Sequence, residues 1–282
     1  MARFNIHQVE TIQTGLDHPE CINFGRDGRL YAGGLSGQVY VMTPPKFELR
    51  QFGDTKGIIG GVTVDGNHNL YACNPARHSV LRVTQDGDIS TYCDRSRDGP
   101  TIWPNYGLFD AKGNYYFSDS GLNYWKPSGR LIRVTPDGEA ESLIGGNWHF
   151  ANGLALSPKD RSIFMIETAA ADVVRVPIGK DGEVGRPEIY EQFHGSELDG
   201  LAFAKNGSLY VSCFLPNRIY VIYPDRNVEL LIEDTSGEIL NQPTNVAFEP
   251  KGTRLFIASL GGQHIAALDV GEHGAPLYYP RL

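Results

Sequence analysis

Six segments of this 282-residue chain read alike, and they follow one another at a nearly fixed interval. They are PECINFGRDGRLYAGG, GGVTVDGNHNLYACN, NYGLFDAKGNYYFSDS, ANGLALSPKDRSIFMIET, LDGLAFAKNGSLYVSCF and PTNVAFEPKGTRLFIASL. Each holds a short apolar run, a polar turn that usually contains Gly, and an apolar-aromatic run ending in small or polar residues. Pairs such as Asp27-Gly28, Lys112-Gly113, Asn206-Gly207 and Lys251-Gly252 suit the positive φ that tight hairpins need. With Cys21, Gly61, Gly107, Gly153, Gly200 and Asn245 taken as the openings of the first runs, the intervals are 40, 46, 46, 47 and 45 residues. Third runs begin at Val39, Val80, Leu131, Val173 and Ile219, and a fourth begins at Val228. Four strands in roughly 45 residues is the signature of a propeller blade.

The expectation is therefore an all-β, six-bladed β-propeller with four-stranded antiparallel blades, one domain over residues 1–282. No segment holds a 3.6-residue apolar period of helix length. The leftover N-terminal run, Val9 to Thr14, reads as a strand. It could close the ring by pairing with the last blade near Ala266 to Val270 and Leu277 to Tyr279, which would remove an exposed edge.

Composition narrows the partners. Lys and Arg total 25 against 33 Asp and Glu, a net charge of -8, which argues against a nucleic-acid partner. No apolar run is long enough for a membrane span, and Met1 to Thr14 lacks the apolar core of a leader. Cys21, Cys73, Cys93 and Cys213 show no C-x-x-C spacing and read as reduced, buried side chains. Together these lead to an expected cytoplasmic location and a small-molecule or cation partner.

In a propeller the first strand of each blade lines the channel, so the residues just before each opening sit at its mouth. One position before the openings stand Glu20, Gly60, Tyr106, Asn152, Asp199 and Thr244, with Asn105 one step earlier on blade 3. Glu20, Asn152 and Asp199 thus share one structural position and should point at one axis. Two carboxylates and an amide oxygen suit a hard divalent cation such as Ca²⁺, and the carboxylates would repel without a cation or a proton between them. No Cys or His shares the position, against a structural zinc site. Trp103, Tyr106, Trp148 and His149 fall near the same mouth. Asp119 follows a strand that ends there, beside substrate or a second cation, or else bonded to loop backbone. Ser36 lacks the context of a nucleophile elbow.

The same stretches carry a likeness. HPECINF, WPNYGLFDAKGNYYFSDS, FANGLALSPKDRSIFMIET and ELDGLAFAKNGSLYVSCF, with the closing PTNVAF and LFIASLGGQHIAALDVG, resemble the gluconolactonase and regucalcin (senescence marker protein) family over nearly the whole chain. FSDSGLNYW is similar to its drug-responsive lactonase branch. The resemblance implies one catalytic divalent cation, with metal-binding residues at Glu20, Asn152 and Asp199. It implies that Asp199 also transfers protons and that Asn105 contacts substrate or water. Some sugar-lactonase members carry Arg where this chain has Trp103, which points to a less polar substrate. The expected function is metal-dependent opening of a lactone ring, with Trp103, Asn105, Tyr106 and Asp119 as substrate contacts. Ca²⁺ is the first choice of ion, and Zn²⁺, Mn²⁺ or Fe²⁺ are alternatives. A phosphotriesterase on the same cation and a non-enzymatic ligand-binding propeller are the competing readings.

Overall fold

In the computed structural model, which describes residues 2–282, the chain forms six four-stranded antiparallel sheets. Their first strands are Cys21–Phe24, Gly61–Val64, Pro104–Phe109, Ala151–Leu156, Glu197–Phe203 and Pro243–Phe248. Each of these touches the first strand of the next sheet, and the last touches the first again, so they wall a closed central channel. Within blades 1 to 5 the strands pair in chain order from the channel outward. The outermost strand of blade 6 is instead the N-terminal Glu10–Thr14, which lies antiparallel to His264–Asp269 with Glu10 opposite Ala267 and Thr14 opposite His264. The only helical pieces among the described residues are single 3₁₀ turns at Ile6–Gln8, Pro75–Arg77 and Thr168–Ala170. None is long and apolar enough to cross a membrane.

The alternating strands bury their apolar side chains between blades, and six separate clusters result, one at each blade–blade seam. Val39, Val41 and Cys21 of blade 1 meet Val62, Leu70 and Ala72 of blade 2. At the seam that closes the ring, Phe24 meets Phe256 edge-on with ring centroids 5.1 Å apart. Aromatic pairs in this geometry add about 0.5–1.5 kcal/mol beyond their burial. The four cysteines are free and buried in such seams.

The hairpins at the lower end of the first strands have a local cause. Asp65 accepts from the backbone N–H groups of Asn67 and Asn69, both at 2.8 Å, and from the Tyr71 hydroxyl. Asp110 makes the same set with Lys112, Asn114 and Tyr116. A side chain that mimics a turn carbonyl in this way favours the hairpin over competing local structure.

One expectation fails. Leu277 to Tyr279 form no strand. Pro276 and Pro280 flank them and cannot donate to a ladder, and the edge of blade 6 is already taken by Glu10–Thr14. The tail instead crosses the lower end of the channel. The N–H of Lys205 donates to the carbonyl of His273, Ala275 N–H to Phe203, and Gly66 N–H to Pro280. The Tyr279 hydroxyl donates to the Phe24 carbonyl at 2.9 Å. Blades 5, 1 and 2 are thereby strapped together from below.

Candidate active site

At the upper end, the backbone itself marks the site. In blades 3 to 6 the pairing of the first two strands shifts register between Pro104 and Gly107, Ala151 and Leu154, Leu198 and Leu201, and Pro243 and Val246. Each irregularity brackets a mouth residue: Asn105, Asn152, Asp199 or Thr244. Blades 1 and 2 pair regularly from Cys21 and Gly61. A bulge re-aims a side chain that regular pleating would turn into the blade. Glycine after the mouth residue lets the first strands close in. A Cβ on Gly153 would stand 2.3 Å from the Asp199 carbonyl oxygen, and one on Gly200 would stand 2.7 Å from that of Thr244.

Glu20 and Asp199 face one another across this mouth. Both remain in reach of solvent at their surfaces, yet both are packed deeply enough for burial to disfavour their charge. Burial, and then the negative charge of Asp199, hold the Glu20 carboxyl well above the usual range. Burial raises Asp199 to about 7, and a hydrogen bond from the Asn152 amide works against that rise. Among the described residues no hydrogen bond reaches the Glu20 carboxylate. Tyr124 leans over the pair. Burial and the charges of Glu197, Asp199 and Glu20 push its phenol upward, and its ring lies 4.5 Å from that of Phe150.

Two hydroxyl groups fix the amides. Asn105 Nδ2 donates to Ser120 Oγ at 3.1 Å, and Asn152 Nδ2 donates to Thr168 Oγ1 at 3.1 Å. Both amides are buried, so their orientation is set. Just before these hydroxyls stand two acids with a matching duty. Asp119 ends the second strand of blade 3 and accepts from Ile102 N–H at 3.0 Å and Trp103 N–H at 2.6 Å. Glu167 ends the second strand of blade 4 and accepts from His149 N–H at 2.6 Å. Each acid therefore shapes the loop that feeds an Asn into the mouth. The sequence signal was available: the acid–hydroxyl pairs Asp119-Ser120 and Glu167-Thr168 occupy one repeat position, in the two blades whose mouth residue is Asn. Tyr124 and Phe150, by contrast, lie in loops outside the repeat and have no such register.

This corrects the expectation for Asp119. It is fully buried, it pairs with the Arg130 guanidinium, and it is occupied by loop N–H groups, so it lines no substrate space. Arg130 also fills the place a second cation would take beside it. Trp103 stands at the mouth, 38% exposed. Tyr106 lies deeper, nearly buried, with its hydroxyl beside the Asn245 and Asn23 amides of the far blades, and so crosses the channel as a floor.

Among the described residues no three His, Cys, Asp or Glu side chains gather closely enough to hold a metal. The donor set would fit a cation only if an amide oxygen joined the two carboxylates, and Asn152 is the amide held beside Asp199. An oxygen-only set with two desolvated acids suits a hard divalent ion.

A family model described as the SMP-30/gluconolactonase/LRE-like region matches residues 18–261. A lactonase (drp35) of Staphylococcus aureus is 27% identical over 263 residues, which span 85% of this chain and 78% of the relative. A solved gluconolactonase of Xanthomonas campestris superposes with a TM-score of 0.79 at 19% identity, covering 94% of this chain and 89% of its own. The calcium-binding protein regucalcin of Agrobacterium tumefaciens does so with a TM-score of 0.79 at 14% identity, over 96% and 97% of the two chains.

Proposed function

The chain belongs to the SMP-30/gluconolactonase/LRE-like family, and from that premise we propose that it hydrolyses a lactone with the help of one divalent cation at the upper mouth. The observation that supports this most is the pairing of Glu20 with Asp199 beside Asn152, two facing acids without enough donors to settle their charge. Glu20, Asn152 and Asp199 would hold the ion, with Ca²⁺ the first candidate because every donor is oxygen. When bound, the ion would polarise the lactone carbonyl and stabilise charge developing on its oxygen.

The remaining steps belong to side chains. Asp199, raised towards neutrality by burial, is suited to take a proton from the attacking water and to return it to the leaving alkoxide. Ring opening then yields a hydroxy acid. Asn105, held by Ser120, would orient the water or the carbonyl. Trp103 and the Tyr124–Phe150 stack make the mouth aromatic on one side, in favour of a lactone with an apolar substituent over a polyhydroxylated one. The free, buried cysteines suit a reducing compartment such as the cytoplasm.

The test is a panel of aldonolactones, aromatic and alkyl lactones and paraoxon, assayed with Ca²⁺, Mn²⁺, Zn²⁺ or Fe²⁺ and with chelator. Cation-dependent lactone opening, fastest on the apolar members, is the expected result. Hydrolysis confined to paraoxon would favour a phosphotriesterase, and no activity with any ion would sink the proposal.

A further inference from the structure

One cavity of this protein lies away from the acids. It is a chamber of about 610 Å³ at the lower end of the channel, within the range of ligand pockets. All six blades line it, through residues such as Leu108, Leu154, Leu201 and Val246, and the tail closes it from below. Tyr106 lies between it and the acid pair. Its walls are mostly aliphatic and aromatic, with Asn23 and Thr63 among the polar exceptions, so much of the chamber offers water few partners. Its charged rim is uneven. Glu249 is held by Arg254 through two hydrogen bonds, at 3.0 and 2.8 Å. Lys205 is exposed and has no acidic partner among the described residues. His273 uses Nδ1 on the Gly252 carbonyl, which leaves its other ring nitrogen open.

We propose that this lower chamber is a second binding site, separate from the acid site, and that it takes an amphipathic carboxylate of medium chain length. The alkyl chain lies among the lower ends of the first strands and the carboxylate meets Lys205 at the rim. An apolar chamber explains the chain, and the unpaired cation beside a neutralised acid explains the head group. The tail segment from Pro276 onward is the wall the ligand passes.

Contact quenching tests this on the whole protein. The three native tryptophans, Trp103, Trp125 and Trp148, all lie in segments of the upper face. Leu277, 47% exposed in the tail, can be replaced by Trp without disturbing a packed core. A medium-chain fatty acid carrying bromine at its far end (bromododecanoate, below its micelle concentration) is then titrated into wild type and Leu277→Trp. The expected result is saturable one-to-one quenching of the introduced indole and none of the native ones. Adding Lys205→Glu should weaken it at least tenfold, and the equivalent bromo-alcohol should bind as weakly. Quenching of the native tryptophans at the same concentrations would place the ligand at the upper mouth and overturn the proposal. So would no quenching of the introduced indole, or quenching indifferent to Lys205→Glu.

Discussion

The two ends of one channel are built from the same six strands and differ in nearly every property. At the upper end the strands begin, the register breaks in blades 3 to 6, and polar side chains gather: Glu20, Asn105, Asn152 and Asp199. At the lower end they finish in regular hairpins, apolar side chains converge, and the tail runs across. The repeat sets both ends, but only the upper one departs from it. A propeller can thus leave its seams alone and vary chemistry at strand starts, where a substitution disturbs little packing.

The largest expected effect tests whether the upper end carries the chemistry. Chelation should reduce lactone opening to background, and added Ca²⁺ should restore it, as read by a pH-stat assay. Asp199→Asn should lower kcat by about 10³-fold, the typical worth of a general base with its charge. An effect below tenfold would remove Asp199 from the proton path. Asn105→Ala should cost about 10²-fold in kcat. Ser120→Ala should fall in the same direction by less, since it frees the amide without removing it.

The next test concerns pH. Both acids have folded pKa values above their unfolded ones, so without a cation their contribution to stability is complete in acid and is lost as pH rises. For Asp199 that loss runs from its ordinary value near 4 up to about 7. The chelated protein should therefore melt at lower temperature at pH 8 than at pH 5, and Asp199→Asn should flatten the dependence. Ca²⁺ affinity should rise across the same window, as protons cease to compete. Thermal melts and calorimetric titration check both. Smallest of all, Lys205→Glu at the lower rim should leave kcat/KM within about twofold. A larger change would mean that the two ends communicate through Tyr106.

How much of this the sequence carried can be seen residue by residue. The blades were legible because hairpin turns and apolar alternation repeat locally, and strand pairing obeys the same period. The shared position of Glu20, Asn152 and Asp199 is legible for the same reason: departures show only against a repeat. The sequence leaves Asp119 open between a substrate contact and a brace for loop backbone, because the partners that decide it, Ile102, Trp103 and Arg130, come from loop and strand positions whose meeting depends on tertiary closure. Counting along the repeat puts Tyr106 at the mouth. The bulge between Pro104 and Gly107 and the length of its side chain send it to the floor. The route of the tail leaves no local signal, because two of its contacts, at Gly66 and Phe24, lie more than 200 residues away in sequence.

The pairing of Glu10–Thr14 with His264–Asp269 has a kinetic consequence. Glu10–Thr14 is synthesised some 250 residues before its partner strand and has to wait for the last blade. Five blades can assemble from neighbouring contacts as they emerge, but the final latch demands the longest loop closure in the chain. Refolding should accordingly show fast gain of sheet and a later cooperative step, and a shortened N-terminus should speed opening more than it slows collapse.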